Sequence, residues 1–170
     1  MLNVTKKAVS LLLIFIFLVS AAACTLEARI DFSELIRRMN SATDIYKAET
    51  TEAFYSEGEW FLFIEASDNC EILVTGKENE DKILTSVTVS VINNGNEQQK
   101  EIFSDFCQRA VRAFTANYDS DKIIRDSGVT ATDSFFTDNA YFSENGRFAT
   151  SLFTAQHGCT FIIEIITPER

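Results

Sequence analysis

The side chains of this 170-residue chain best suited to nucleophilic, redox or metal chemistry are four cysteines and one histidine. No two cysteines form a C-x-x-C pair, so their spacing supports neither a redox motif nor a zinc site. The histidine lies beside Gly158 in a predicted tight turn, and no G-x-S-x-G motif accompanies it. We therefore interpret it as an exposed turn residue. These five residues are Cys24, Cys70, Cys107, Cys159 and His157.

The acidic residues give no sharper signal. Asp119-Ser120-Asp121 begins like a calcium-binding loop, but Ile123 occupies the fifth position and no glycine follows it, so the EF-hand pattern fails. The 25 acidic residues allow many carboxylate pairs, and nothing selects one pair for glycosidase-type chemistry. The sequence thus predicts a protein that is not an enzyme and that uses no cofactor and no metal.

The first 23 residues have the three parts of an export signal. Lys6 and Lys7 give a positive start, residues 11–19 are an unbroken apolar run, and Ala21-Ala22-Ala23 supplies small residues at a cleavage site. The apolar run is too short for a membrane-spanning helix, which needs roughly 20 residues. We predict that residues 1–23 are a signal peptide that is removed on export.

Cys24 directly follows the three alanines, and this arrangement resembles the lipobox of bacterial lipoproteins. The resemblance implies cleavage before Cys24 and a diacylglycerol on its thiol, with residues 24–30 as a lipidated N-terminus and short tether. It also implies attachment to the extracytoplasmic face of the cell membrane. The chain departs from the family pattern at Ala21, where leucine is preferred. The same alanines satisfy the A-x-A rule of ordinary signal peptidase, so simple secretion is the alternative.

The charge balance excludes one class of partner. The formal net charge is −10, and removing the leader, with its two lysines and no acidic residue, makes it two units more negative. Such a chain repels phosphate backbones, so we predict no nucleic-acid partner. Anionic lipid head groups also repel it, so contact with the membrane is expected only through the lipid anchor.

Hydrophobic periodicity predicts an α+β fold for residues 31–170, which we interpret as a single globular domain. Asp31 and Glu34 form a D-x-x-E capping box before a helix over residues 32–47, and Asn96 and Gln99 cap a second helix with a strong apolar stripe. Strands are expected at residues 59–65, 71–75, 83–91, 134–142, 147–155 and 159–166. The predicted order is α-β-β-β-α-β-β-β, an antiparallel sheet packed by two helices.

The cysteines within the domain differ in their expected surroundings. Cys107 lies on the apolar stripe of the second helix, where a buried thiol is expected. Cys70 and Cys159 each follow a predicted turn and begin a strand. An exported protein permits oxidation, so we predict a possible Cys70–Cys159 disulfide if the two hairpins are neighbours.

These features favour a membrane-anchored bacterial lipoprotein of the cell envelope that acts as a non-enzymatic binding module for a protein or envelope ligand. The predicted strand with Trp60, Phe61 and Phe63 is apolar on both faces, and an uncovered face there would be a partner surface. The alternatives are a structural or chaperone-like envelope component, or an enzyme with an unrecognised site.

The lipid anchor is tested by the substitution Cys24→Ala. The variant should leave the detergent phase and lose membrane association, because stable attachment needs more than one acyl chain and both chains depend on this thiol. Detergent partitioning and membrane fractionation measure the effect. If the variant partitions like the wild type, the anchor prediction is wrong.

Overall fold

The computed structural model describes residues 30–42, 52–67, 70–92, 96–116 and 118–166. The predicted signal peptide and Cys24 lie outside these residues. The helices of the described part are α1 (Phe32–Ser41), α2 (Glu97–Phe114) and α3 (Ser120–Asp126), with a 3₁₀ helix at Thr132–Ser134. The strands are β1 (Phe54–Ser56), β2 (Glu59–Ser67), β3 (Cys70–Glu78), β4 (Leu84–Ile92), β5 (Asn139–Asn145), β6 (Phe148–Ala155) and β7 (Gly158–Ile165).

All seven strands join one antiparallel sheet in the order β1-β2-β3-β4-β7-β6-β5. The predicted α+β class and antiparallel sheet are confirmed. The element order differs by one short strand, β1, and one short helix, α3, that the sequence prediction did not separate from their loops. Within the described residues, no helix is both long and apolar enough to cross a membrane.

Two consecutive hairpin runs build the sheet. β1 to β4 follow one another across one half, and β5 to β7 fill the other half in reverse order. The pairing of β4 with β7 joins the halves over seven residue pairs. α2 and α3 carry the chain from the centre of the sheet to its far edge.

The predicted capping box is complete at α2 and only half formed at α1, where the carboxylate of Glu34 pairs with Arg37 and Arg38 and not with the N-cap backbone. The carboxylate of Asp31 accepts a hydrogen bond from the backbone N–H of Glu34 at 2.8 Å, which satisfies one of the free donors at the start of α1. Asn96 and Gln99 form the predicted reciprocal capping box at the start of α2, with bonds of 2.9 and 3.1 Å. The predicted C-terminal part of the first helix, residues 43–47, lies outside the described residues.

The hydrophobic core lies between the helices and one face of the sheet. Phe103 of α2 contacts Phe135 edge-on at a centroid distance of 5.4 Å, and Phe114 contacts Phe148 of β6 at 5.9 Å. Because Phe135 is buried in this contact, residues 132–136 form a 3₁₀ helix and turn. The predicted strand at 134–142 therefore begins only at Asn139 and continues to Asn145.

Gly76 permits the closest approach of α1 to the sheet. A Cβ atom at this position would lie 2.6 Å from Cδ2 of Phe32 and 2.8 Å from Cδ2 of Leu84. The Phe32 ring fills that space and stacks on Trp60 at a centroid distance of 5.6 Å. A side chain at Gly76 would displace this packing.

One part of the predicted alternation in β4 is wrong. Strict alternation along the strand predicted at residues 83–91 puts Val87, Val89 and Val91 on the core face, as observed, and Leu84 on the solvent-facing side. Leu84 is instead fully buried. The pairing between β3 and β4 shifts register between Lys77 and Glu78. This irregularity inverts the alternation at the start of β4 and turns Leu84 inward.

The core assignment of α2 is tested by Phe106→Ala. Phe106 has no exposed surface, so truncation should lower the free energy of unfolding by about 3–5 kcal/mol. A denaturant titration measures the change. A loss under about 1 kcal/mol would contradict the buried position.

Candidate functional site

The two faces of the sheet differ in cover. Phe32 of α1 stacks on Trp60 of β2, and Phe114 of α2 contacts Phe148 of β6. Both strand residues point to the same side of the sheet. The alternate residues point to the other side, on which no described helix packs. We call this side the open face, and it is the candidate functional site.

One end of the open face carries an aromatic cluster. Phe54 of β1 pairs in register with Phe61 of β2, and their rings stack at a centroid distance of 5.2 Å. Phe63, two residues further along β2, lies 6.4 Å from Phe54. Phe54 and Phe63 keep 50% and 47% of their surface exposed. These rings form one wall of the open face.

A second wall stands on the opposite edge of the sheet. Phe142 of β5 and Phe153 of β6 meet edge-on at a centroid distance of 5.5 Å. Phe142 is 69% exposed, and Phe153 is also exposed. The strand order places β3, β4 and β7 between β2 and β6. At about 4.8 Å per strand, the two walls stand about 19 Å apart.

The floor between the walls consists mainly of small hydroxyl side chains. Thr88 and Ser90 of β4 lie in register with Ile162 and Thr160 of β7, and Ser151 of β6 is paired with Ile162. Ser90 and Thr160 share a hydrogen bond of 3.1 Å. Small residues between taller aromatic rings make the centre of the open face a trough that runs along β4 and β7.

A small depression marks one end of this trough. It is lined by Phe63, Glu71, Leu73, Ser90 and Ile92. Ile92 is 83% exposed, which is unusual for an isoleucine on a strand. Apolar walls with one carboxylate suit a side chain that has an apolar stem and a basic end.

The open face is acidic. The side chains that point to this face include five glutamates and one lysine, in register rows at the two ends of the trough. Glu65 of β2 stands directly opposite Glu71 of β3, and no ion pair of the described residues involves either carboxylate. Like charges in such positions destabilise a sheet. The charged residues of the face are Glu59, Glu65, Glu71, Lys77, Glu144 and Glu164.

A separate cleft lies where α1 begins. Ile30, Phe32, Trp60, Lys82 and several acidic residues line it, and the indole Nε1 of Trp60 is buried with no hydrogen-bond partner. The aromatic pair of Phe32 and Trp60 explains the shape of this cleft as core packing.

The predicted Cys70–Cys159 disulfide is not present in the structure. Cys70, Cys107 and Cys159 are free and buried. Cys70 lies on β3 and Cys159 on β7, with β4 between these strands. Two strand spacings amount to about 9.6 Å, beyond the roughly 7 Å that a disulfide allows. Cys70 begins β3 as predicted and Cys159 is the second residue of β7, but their hairpins are not neighbours.

The other residues that the sequence singled out lie apart from one another. His157 is exposed in the turn between β6 and β7, as expected. Asp121 binds Arg112 at 2.7 Å, and the described residues contain no group of three metal-ligating side chains. Cys24, the predicted lipidation site, lies outside the described residues.

Sequence reasoning found only part of the open face. The apolar strand with Phe61 and Phe63 was recognised, and the structure places Phe61 and Phe63 on the open face and Trp60 on the core face. Phe54, Ile92, Phe142 and Phe153 were missed. The alternation of apolar residues along these strands can be read from the sequence, but the order in which the strands pair cannot.

No protein-family model matches the chain, and comparisons with curated proteins and with solved structures found no significant match. The open face is therefore assigned from its own geometry and chemistry.

The reactivity of the three cysteines in the described residues tests whether their thiols are free and buried. Burial raises the pKa of Cys70, Cys107 and Cys159, so the reactive thiolate is scarce as well as inaccessible. Native protein should react very slowly with a maleimide at neutral pH, and all three sites should label after unfolding without reductant. Mass spectrometry of the peptides measures each site. Failure of Cys70 and Cys159 to label after unfolding would contradict the free-thiol structure.

Proposed function

We propose that the protein is a membrane-anchored bacterial lipoprotein that binds a protein or envelope ligand through its open face. The observation that carries this proposal is the pair of exposed aromatic walls, formed by Phe54, Phe61 and Phe63 on one side and by Phe142 and Phe153 on the other. Exposed apolar patches of this kind are typical of interaction sites, since leaving large aromatic rings in water costs free energy. The structural or chaperone-like role and the unrecognised enzyme stay alternatives, and no specific observation favours either.

The position of the tether fits such a role. The carbonyl oxygen of Ile30 accepts a hydrogen bond of 2.9 Å from the backbone N–H of Leu84, which joins the start of the described chain to the start of β4. Six residue steps lead from Cys24 to Ile30, a reach of at most about 20 Å. A lipid on Cys24 would hold this end of the sheet close to the bilayer.

The depression at Ile92 lies at the opposite end of the same strand. β4 runs from Leu84 to Ile92, and eight residue steps span about 27 Å. The proposed anchor and the most exposed apolar side chain of the open face thus lie at opposite ends of β4. In this arrangement a partner can reach the depression without contacting the membrane.

Site-specific photocrosslinking in intact cells tests the binding face. A photoreactive phenylalanine analogue replaces Phe63 or Phe142, and the matched control carries it at Tyr118, an exposed aromatic residue in the loop before α3. The two open-face positions should give discrete adducts, and Tyr118 should not. Absence of adducts at both open-face positions, or equal adducts at Tyr118, would show that the open face is not a binding site.

A further inference from the structure

We infer that the partner of the open face is a basic amphipathic helix, a polypeptide segment with lysine or arginine beside an apolar stripe. This inference rests on the proposed function and adds the chemistry of the partner. Three observations support it: the dimensions of the trough, the charge of its ends and the construction of the depression at Ile92.

The trough is wide enough to hold a helix. Its walls are about 19 Å apart between β2 and β6, and a helix with its side chains is about 10–12 Å across. The remaining space is taken up by the rings of the walls. The opposite face of β4 already packs against a helix, α2, with which it has several contacts. A second helix would complete a three-layer arrangement over the same central strand.

The charge of the open face selects a basic partner. Five glutamates and one lysine point to this face, and the whole chain carries a formal charge of −10. Glu65 and Glu71 are adjacent carboxylates without a described cation, so a lysine or arginine of the partner would relieve their repulsion. A second copy of this chain would bring the same negative charge and is disfavoured.

The depression accepts one basic side chain in a defined way. Phe63, Leu73 and Ile92 provide apolar contact for the methylene groups of a lysine or arginine, and Glu71 on the rim would pair with its charged end. Basic residues in the adjacent turn of the helix would reach Glu65. The apolar stripe would then lie against the aromatic walls.

Binding of a designed peptide tests the inference. The probe is a fluorescent 18-residue helix of leucine and lysine, and the control peptide carries glutamate at every lysine position. The protein is the processed chain with Cys24→Ala, so that no lipid or detergent competes for the peptide. Fluorescence anisotropy should show saturable binding of the basic peptide, weakening as salt is added, and no binding of the acidic peptide. Equal binding of both peptides, or of neither, would overturn the inference.

Variants locate the contact. Glu65→Gln with Glu71→Gln should weaken binding roughly three- to tenfold, because two exposed charge pairs are lost. The matched control, Glu80→Gln with Glu101→Gln, removes two exposed carboxylates outside the open face and should bind normally. The first pair should also leave the denaturation midpoint unchanged or raise it, since it removes a repulsion. An unchanged affinity in the first pair would overturn the inference.

Two further measurements complete the test. One examines the apolar contact at Ile92, and the other distinguishes a basic helix from other occupants of the open face. Ile92→Ser should weaken peptide binding about tenfold or more if Ile92 is buried on docking. Identification of the adducts from Phe63 and Phe142 should give a protein whose crosslinked segment is basic and amphipathic. An acidic or uncharged segment, a polysaccharide or a second copy of this chain would overturn the inference, while the adducts themselves would still support the open face as a binding site.

Discussion

The packing of α2 on the sheet is the contact on which the rest of the fold depends. The strands form two hairpin runs, and among the described residues the pairing of β4 with β7 is the one strand pairing that joins them. α2 strengthens this junction, because it contacts β4 in the first run and brings Phe114 against Phe148 of β6 in the second. Its buried stripe therefore spans both halves of the sheet. If this helix did not form, each half would expose one apolar face and be only marginally stable.

Because the described helices cover one side of the sheet, neighbouring residues along each strand have different roles. Trp60 and Phe61 are adjacent in sequence, yet Trp60 packs under α1 while Phe61 stacks on Phe54 at the open face. The same alternation places Cys159 in the core, where its thiol accepts a weak hydrogen bond from the N–H of Phe136. A strand with large side chains on both faces thus serves stability with one face and can serve recognition with the other.

Local patterns predicted the elements better than their assembly. The caps at Asp31 and Asn96 and the stripe of α2 depend on residues close in sequence, so the sequence alone was sufficient for them. The Cys70–Cys159 pairing failed because it required knowledge of strand order, which long-range packing decides. The position of Leu84 failed because a register shift in β3 and β4 is not visible in the alternation of β4 alone. The open face was only partly foreseen for the same reason, since its walls come from strands at opposite edges of the sheet.

While the open face meets only water, it leaves favourable free energy of apolar burial and of charge pairing unused. Fully burying one large apolar side chain is worth about 1.5–3 kcal/mol. Phe54, Ile92 and Phe142 leave half or more of their side-chain surface exposed, and Phe63 leaves 47% exposed. The opposed carboxylates of Glu65 and Glu71 forgo a favourable cross-strand pair worth roughly 0.2–1 kcal/mol. Because the same rings are also exposed in the unfolded chain, this burial energy is unused by the fold and stays available for an interaction. A partner that supplied apolar cover and positive charge would use both at once, so the exposed rings and the carboxylates of this face support the same proposed interaction.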